Sequence, residues 1–281
     1  MKKNIRQTLP AILMIIGLAF ASCNTGNQES KNSDEKKDTT EQNGTTTAND
    51  VVDQNRDSQG ILLRYNPKLG DTTLAKTVIE QSITVMGQKG TNNMSMTMSM
   101  TATNKTDSLV TTQTRIEEVS LNSNILGQSY SFDSKIIEDA NAELPAPVKD
   151  ILEQTFEVVF DIYGNPVIVP EGYPQEQGIT AVFPKEKVCE GSQWTRDAEN
   201  AINGITTHTV GTYTVKKITE KTTEIEFNGT ITAETIQGDV TGIMTIDNET
   251  GILITATMVM PMTMTGDIPM TINQTITMTT E

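Results

Sequence analysis

From Gly60 onward, apolar side chains alternate with Thr, Ser or charged ones over stretches of ten residues and more, as in "LITATMVMPMTMT" (Leu253–Thr265). A period of two sends successive side chains to opposite faces of an extended chain, so the pattern predicts strands. They are expected over Ile61–Tyr65, Leu74–Met86, Asn93–Asn104, Ser108–Ser120, Gln128–Glu138, Phe156–Ile162, Pro166–Val169, Gly204–Ile218, Thr222–Thr235, Asp239–Asp247, Ile252–Thr265 and Ile268–Thr279. The segments between them, "TNKTD", "DIYGNP", "TEKTT", "IQGD", "DNETG" and "TGDIP", carry the Gly, Asn, Asp and Pro of hairpin turns. Such short connections make sequence neighbours antiparallel. One segment reads differently. In "LPAPVKDILEQTF" (Leu144–Phe156), Pro147 suits a first helical turn and Val148, Ile151, Leu152 and Thr155 form one stripe, which predicts a helix. A second short turn of helix fits "YPQEQGITAVFP".

The two faces of the expected strands differ in kind. Met94, Met96, Met98 and Met100 share one side of one strand, and Ile252, Ile254, Ala256, Met258, Met260, Met262 and Met264 share one side of another. Thr255, Thr257, Thr263 and Thr265 hold the opposite side. The last strand repeats the division with Ile268, Met270, Ile272, Ile276 and Met278, interrupted by Gln274. Ten or more strands spaced about 4.8 Å make a ribbon about 50 Å wide, far more than a helix about 10 Å across covers. The expected fold is therefore all-β with one or two short helices: a large antiparallel meander curled into a half-barrel or barrel around a helix.

The chain before this domain has another character. "MKKNIRQTLPAILMIIGLAFASC" joins a basic start to an apolar run and small residues, the pattern of a signal peptide over 1–22. Its end, Phe20-Ala21-Ser22-Cys23, resembles a lipobox, in which Cys23 becomes the acylated first residue of the mature chain. Residues 23–58 are polar and poor in apolar side chains, the composition of a disordered tether, and 59–281 form a single β-domain. Asn24 is not the acidic residue associated with inner-membrane retention, so an outer-membrane, lipid-anchored position in the cell envelope is expected.

Of 36 acidic and 21 basic residues, 8 and 7 precede residue 59, which leaves 28 and 14 in the domain and a balance near −14. That sign disfavours nucleic acid as a partner, and aromatics at 4% leave few stacking platforms. The expected partners are the membrane, through Cys23, and a lipid or other apolar small molecule; a protein partner is not specified. Cys189 is the one other cysteine, so no internal disulfide staples the fold.

The early Met/Thr strand, the segment "APVKDILEQTF" with the hairpin "FEVVFDIYGNPVIVP", the segment "FPKEKVCEGSQWTRD" and the alternating C-terminal hairpins resemble an uncharacterised family of bacterial secreted and lipid-anchored domains of Bacteroidota-type envelopes. In architecture this resembles the half-barrels of lipoprotein carriers (Lol type), which implies a concave face that holds acyl chains.

Three readings compete for the methionine faces. Methionine is flexible and fills irregular cores; the same flexibility lines a cavity for apolar chains of varied shape; and thioethers are soft ligands for Cu(I). The metal reading is weakest, since the apolar rows run on into isoleucine. No metal and no cofactor is assigned. Catalytic motifs (GxSxG, P-loop, CxxC, HExxH) are absent and no catalytic residue is assigned, so a non-enzymatic role is expected. His208, the sole histidine, has no acid within two residues and reads as structural. Cys189, near Trp194, reads as packed, and "DIYGNP" and "DNETG" read as hairpin turns with only a superficial likeness to calcium loops. Asp38-Thr39-Thr40, Asp71-Thr72-Thr73 and Asp107-Ser108-Leu109 resemble O-glycosylation acceptors.

Overall fold

The computed structural model describes residues 60–135, 154–170, 181–202, 205–266 and 268–281, together with Leu152 and Tyr173. The expected signal peptide, the tether and residues 144–151 and 153 of the expected helix lie outside these residues; Leu152 is helical. The twelve strands are β1 (Thr72–Val85), β2 (Gln88–Lys105), β3 (Leu109–Ile125), β4 (Gln128–Asp133), β5 (Thr155–Asp161), β6 (Pro166–Ile168), β7 (Gln193–Ile202), β8 (Ile205–Ile218), β9 (Thr222–Thr232), β10 (Ile236–Asp247), β11 (Leu253–Met264) and β12 (Met270–Thr280).

All pairings are antiparallel and belong to one sheet, in the order β6-β5-β3-β2-β1-β12-β11-β10-β9-β8-β7, with β4 pairing the upper half of β3. Two meanders, β1 to β3 and β7 to β12, are thus joined edge to edge through β1 and β12. The sheet does not close: the end strands β6 and β7 are not paired with each other.

It is nevertheless strongly curled. Laid flat, ten inter-strand steps would put β6 and β7 about 48 Å apart. Yet the backbone N–H of Phe183 donates to Tyr163 O (2.8 Å) in the β5–β6 turn, while Trp194 Nε1 on β7 donates to Val182 O (2.7 Å). One short segment therefore touches both edges, and the sheet forms a half-barrel drawn together at one end, here called the base.

Residues 60–67 cross this base as a strap. Ile61 exchanges backbone bonds with Val188, Tyr65 N–H donates to Ile162 O, and Asn66 N–H donates to Thr250 O in the β10–β11 turn. Arg64 fastens it further, donating to Pro184 O (2.8 Å) and Lys185 O (2.5 Å) with its guanidinium 4.6 Å from the centre of the Tyr163 ring. Ile61–Tyr65, expected as a strand, is therefore corrected to a strap. Its backbone bonds go to several elements in turn, so no ladder forms.

Two further departures have local causes. β7 was not expected, because "QWTRDAENAI" lacks alternation; it is an edge strand held by backbone pairing with β8. Thr155, placed on the expected helix stripe, instead opens β5 opposite Arg115, and Ala181–Phe183, the described end of the second expected helical segment, is irregular chain.

The core divides into three clusters. The base cluster gathers Leu63, Phe183 and Trp194 against Tyr213, Phe227, Met244, Met258 and Ile276. At the opposite end Ile83, Val85, Ile125, Ile236, Met264, Met270 and Ile272 pack together. A third cluster joins Met96 and Met98 to Ile116, Val119, Phe156 and Val158.

Candidate ligand-binding face

The methionine strands flank the centre of the sheet. β2 and β11 are separated by β1 and β12, so their methionine rows run about 14 Å apart along the floor of the half-barrel. On β2, Met94, Met96 and Met98 are buried (8%, 2% and 3% exposed) and Met100 is half-buried; on β11, Met258, Met260 and Met264 are buried (1%, 2% and 8%) and Met262 is half-buried. The structure thus puts all eight predicted lining residues on the concave side of one sheet, in two separate rows. The predicted lipidation residue, Cys23, lies outside the described residues.

The rows differ in how their side chains lie. Met258 and Met262 stand opposite Gly242 and Gly238 of β10. A Cβ built on Gly242 would sit 2.0 Å from Met258 Sδ, and one on Gly238 would sit 2.7 Å from Met262 Cγ. Both side chains therefore fold sideways across the neighbouring strand and occupy the space that a side chain on β10 would need. An unbranched thioether can lie flat in this way, and the lining is kept thin. On β8 and β9 the facing pair Gly211 and Gly229 makes similar room for the Phe227 ring.

A polar band runs across the floor from the end of the β2 methionine row toward the β11 row. Asn92, Gln81 and Gln274 stand in one register line across β2, β1 and β12. Asn92 Nδ2 donates to Gln81 Oε1 (2.8 Å), and Gln81 Nε2 donates to Gln274 Oε1 (2.6 Å). All three are at least nine-tenths buried. Ser123 on β3 and Met260 on β11 extend the line on either side. Sequence reading found Gln274 as an interruption of the apolar row; it missed Gln81 and Asn92, whose partnership becomes visible only once the register of β1 with β2 and β12 is known. Among the described residues every buried polar side chain is uncharged, and Thr114 Oγ1 is the one fully buried side-chain atom without a hydrogen-bond partner.

The remaining predicted residues do not join this face. His208 Nε2 lies 2.6 Å from Asp197 Oδ1 on β7, an exposed cross-strand pair whose acid lies eleven positions away in sequence and was therefore missed. Cys189 is half-buried, with Sγ 3.4 Å from Ser192 Oγ. Asp161 accepts bonds from Tyr163 N–H, Asn165 N–H and Asn165 Nδ2, and Asp247 accepts from Glu249 N–H, Thr250 N–H and Thr250 Oγ1. Both turns satisfy their carboxylates internally. Burial opposes ionisation of Asp247, yet the bonds from Thr250 and Glu249, with the nearby Lys68, hold its carboxyl below the usual range. Among the described residues no three His, Cys, Asp or Glu side chains converge. Thr72 and Ser108, in two of the expected glycosylation motifs, are exposed.

A family model described as "Family of unknown function (DUF6263)" matches residues 175–280, which span β7 to β12. No curated protein sequence matches the chain. Among solved structures, one of lipovitellin concerned with lipid–protein interactions aligns at 9% identity and a TM-score of 0.44, over 76% of this chain and 25% of that one. DynF, from the dynemicin biosynthesis pathway of Micromonospora chersina, aligns at 8% identity and a TM-score of 0.21, over 79% of this chain and 89% of that one. The chain thus spans about a quarter of the lipovitellin chain it matches.

Proposed function

We propose that the protein is a non-catalytic envelope lipoprotein, anchored through Cys23, whose half-barrel holds a lipid-like ligand against its methionine-bearing concave floor. The observation that carries this reading is the floor itself: an open, curled sheet with two methionine rows, a thin lining where Met258 and Met262 lie over glycines, and no buried charge among the described residues. Such a surface suits apolar chains of differing shape, because each thioether repacks at little cost.

A second reading, in which the methionines only fill a core, is supported by the burial of six of the eight within the protein itself. The test uses the mature chain from residue 23 with Cys23→Ala, which keeps the tether and needs no detergent. Titration with a neutral pyrene-labelled alkane should give saturable, stoichiometric binding. Uptake no greater than that of an unrelated acidic protein would leave packing as the role of the methionines.

A further inference from the structure

The amide band on the floor has a direction. Each amide carries one carbonyl and one NH₂ group, and the chain Asn92 to Gln81 to Gln274 uses them head to tail. Its ends are therefore unlike. Gln274 presents an NH₂ group that no described residue accepts from, while Asn92 presents a carbonyl that no described residue donates to. Turning all three amides over would exchange the ends and still leave one donor and one acceptor. Gln274 is 9% exposed and faces Met260 across the β11–β12 pair, so its spare donor sits beside the methionine row.

Gln274 Nε2 is not among the fully buried polar atoms, so this donor, which no described residue accepts from, stays reachable in a residue that is otherwise buried. A core used only for packing gains nothing from such an end. A ligand carrying an oxygen acceptor part-way along an apolar body would satisfy it.

From this we infer the class of ligand, an inference that rests on the function proposed above: a neutral acyl ester or amide, whose carbonyl oxygen accepts from the Gln274 end of the band while its hydrocarbon lies along the methionine rows. Charge decides against free fatty acids and phosphate-bearing groups at this point. Every buried polar side chain among the described residues is neutral, so a carboxylate seated there would be desolvated without a counter-charge.

The experiment compares three probes of equal length on the same protein: a pyrenyl alkane, the corresponding methyl ester and the corresponding carboxylate. For the wild-type floor, the ratio of ester to alkane affinity should exceed the ratio of their partition from water into hexadecane, where no hydrogen bond is available. The carboxylate should bind more weakly than the ester. Replacing Gln274 alone would orphan Gln81, so the variant is Asn92→Leu/Gln81→Met/Gln274→Met, which removes every partner together and is expected to fold. In it the ester-to-alkane ratio should fall about threefold to tenfold, the range of one neutral hydrogen bond, with alkane binding retained.

An ester-to-alkane ratio equal to the partition ratio, a preference that survives in the triple variant, or tightest binding of the carboxylate would each overturn the inference while leaving the lipid-binding reading in place. Failure of all three probes to bind would overturn both. The wild-type comparison needs no variant, so a misfolded triple variant would not shelter the idea.

Discussion

Gly242→Ala tests whether Met258 lies flat over β10. In a strand, alanine for glycine normally stabilises by about 0.5–1 kcal/mol, since glycine loses more backbone freedom on folding. Here the new Cβ would meet Met258 Sδ at 2.0 Å and Thr257 O at 2.6 Å, against an ordinary separation of about 3.5–4 Å. The sulfur must therefore move by about 1.5–2 Å, out of a position that is 1% exposed. Overpacking of this kind costs about 1–3 kcal/mol. Met258→Ala alone, a core truncation, should cost about 2–5 kcal/mol. In the double variant the sulfur is gone, whereas the Thr257 carbonyl persists in both backgrounds and cancels. Gly242→Ala should then be milder by at least about 1 kcal/mol in the Met258→Ala background than in wild type. For a domain of this size that coupling is about 2–4 °C in Tm, readable by thermal unfolding of the four proteins. Additivity within about 0.5 kcal/mol would refute the flat packing.

Three other perturbations have defined outcomes. Tyr65, packed with its ring 5.2 Å from that of Phe160, has its phenol pushed up to about 12 by burial. Its stabilising contribution is whole below the unfolded value near 10 and is lost as pH rises toward 12, so Tyr65→Phe should flatten the alkaline limb of a stability–pH profile; an unchanged limb would contradict this. Asp247 works in the opposite sense: its depressed carboxyl contributes stability above the ordinary Asp range that is lost as pH falls below it, and Asp247→Asn should reduce acid sensitivity measured by urea unfolding between pH 5 and 2. Incorporation of an acyl analogue should be abolished by Cys23→Ala, and label persisting in that variant would remove the anchor from the proposal.

The sheet was legible in the chain wherever one face is dry. Alternation located β1, β11 and β12 within about two residues at each end, because the inner row must stay apolar and the outer row need not. β7 escaped notice because an edge strand depends on backbone bonds to one neighbour, and these leave no mark on its side chains. The strap was misread for a related reason: Ile61, Leu63 and Tyr65 keep the period of a strand while their backbone bonds go elsewhere. On β3 the alternation Val110, Thr112, Thr114, Ile116 resumes one place late at Val119, where a bulge opposite Thr97 and Met98 lets Glu117 stay outside. The methionine rows were found by pattern alone. The glycines beneath two of them and the amides of the polar band were not, since each is a cross-strand relation.

The pairing of β1 with β12 also bears on how the molecule is made. Gln81 and Gln274 are separated by 193 positions, and the seam they occupy is the one that joins the two meanders. Hairpins β1 to β3 and β7 to β12 can each zip locally, but the floor exists only after the last strand has emerged and found the first. Until then β1 and β12 are open edges carrying apolar rows, able to recruit any other extended chain. Long-range closure of this kind is slow, and the interval before it is when aggregation competes with folding. A protein built this way needs its nascent chain shielded until its last strand has been made and has paired with the first.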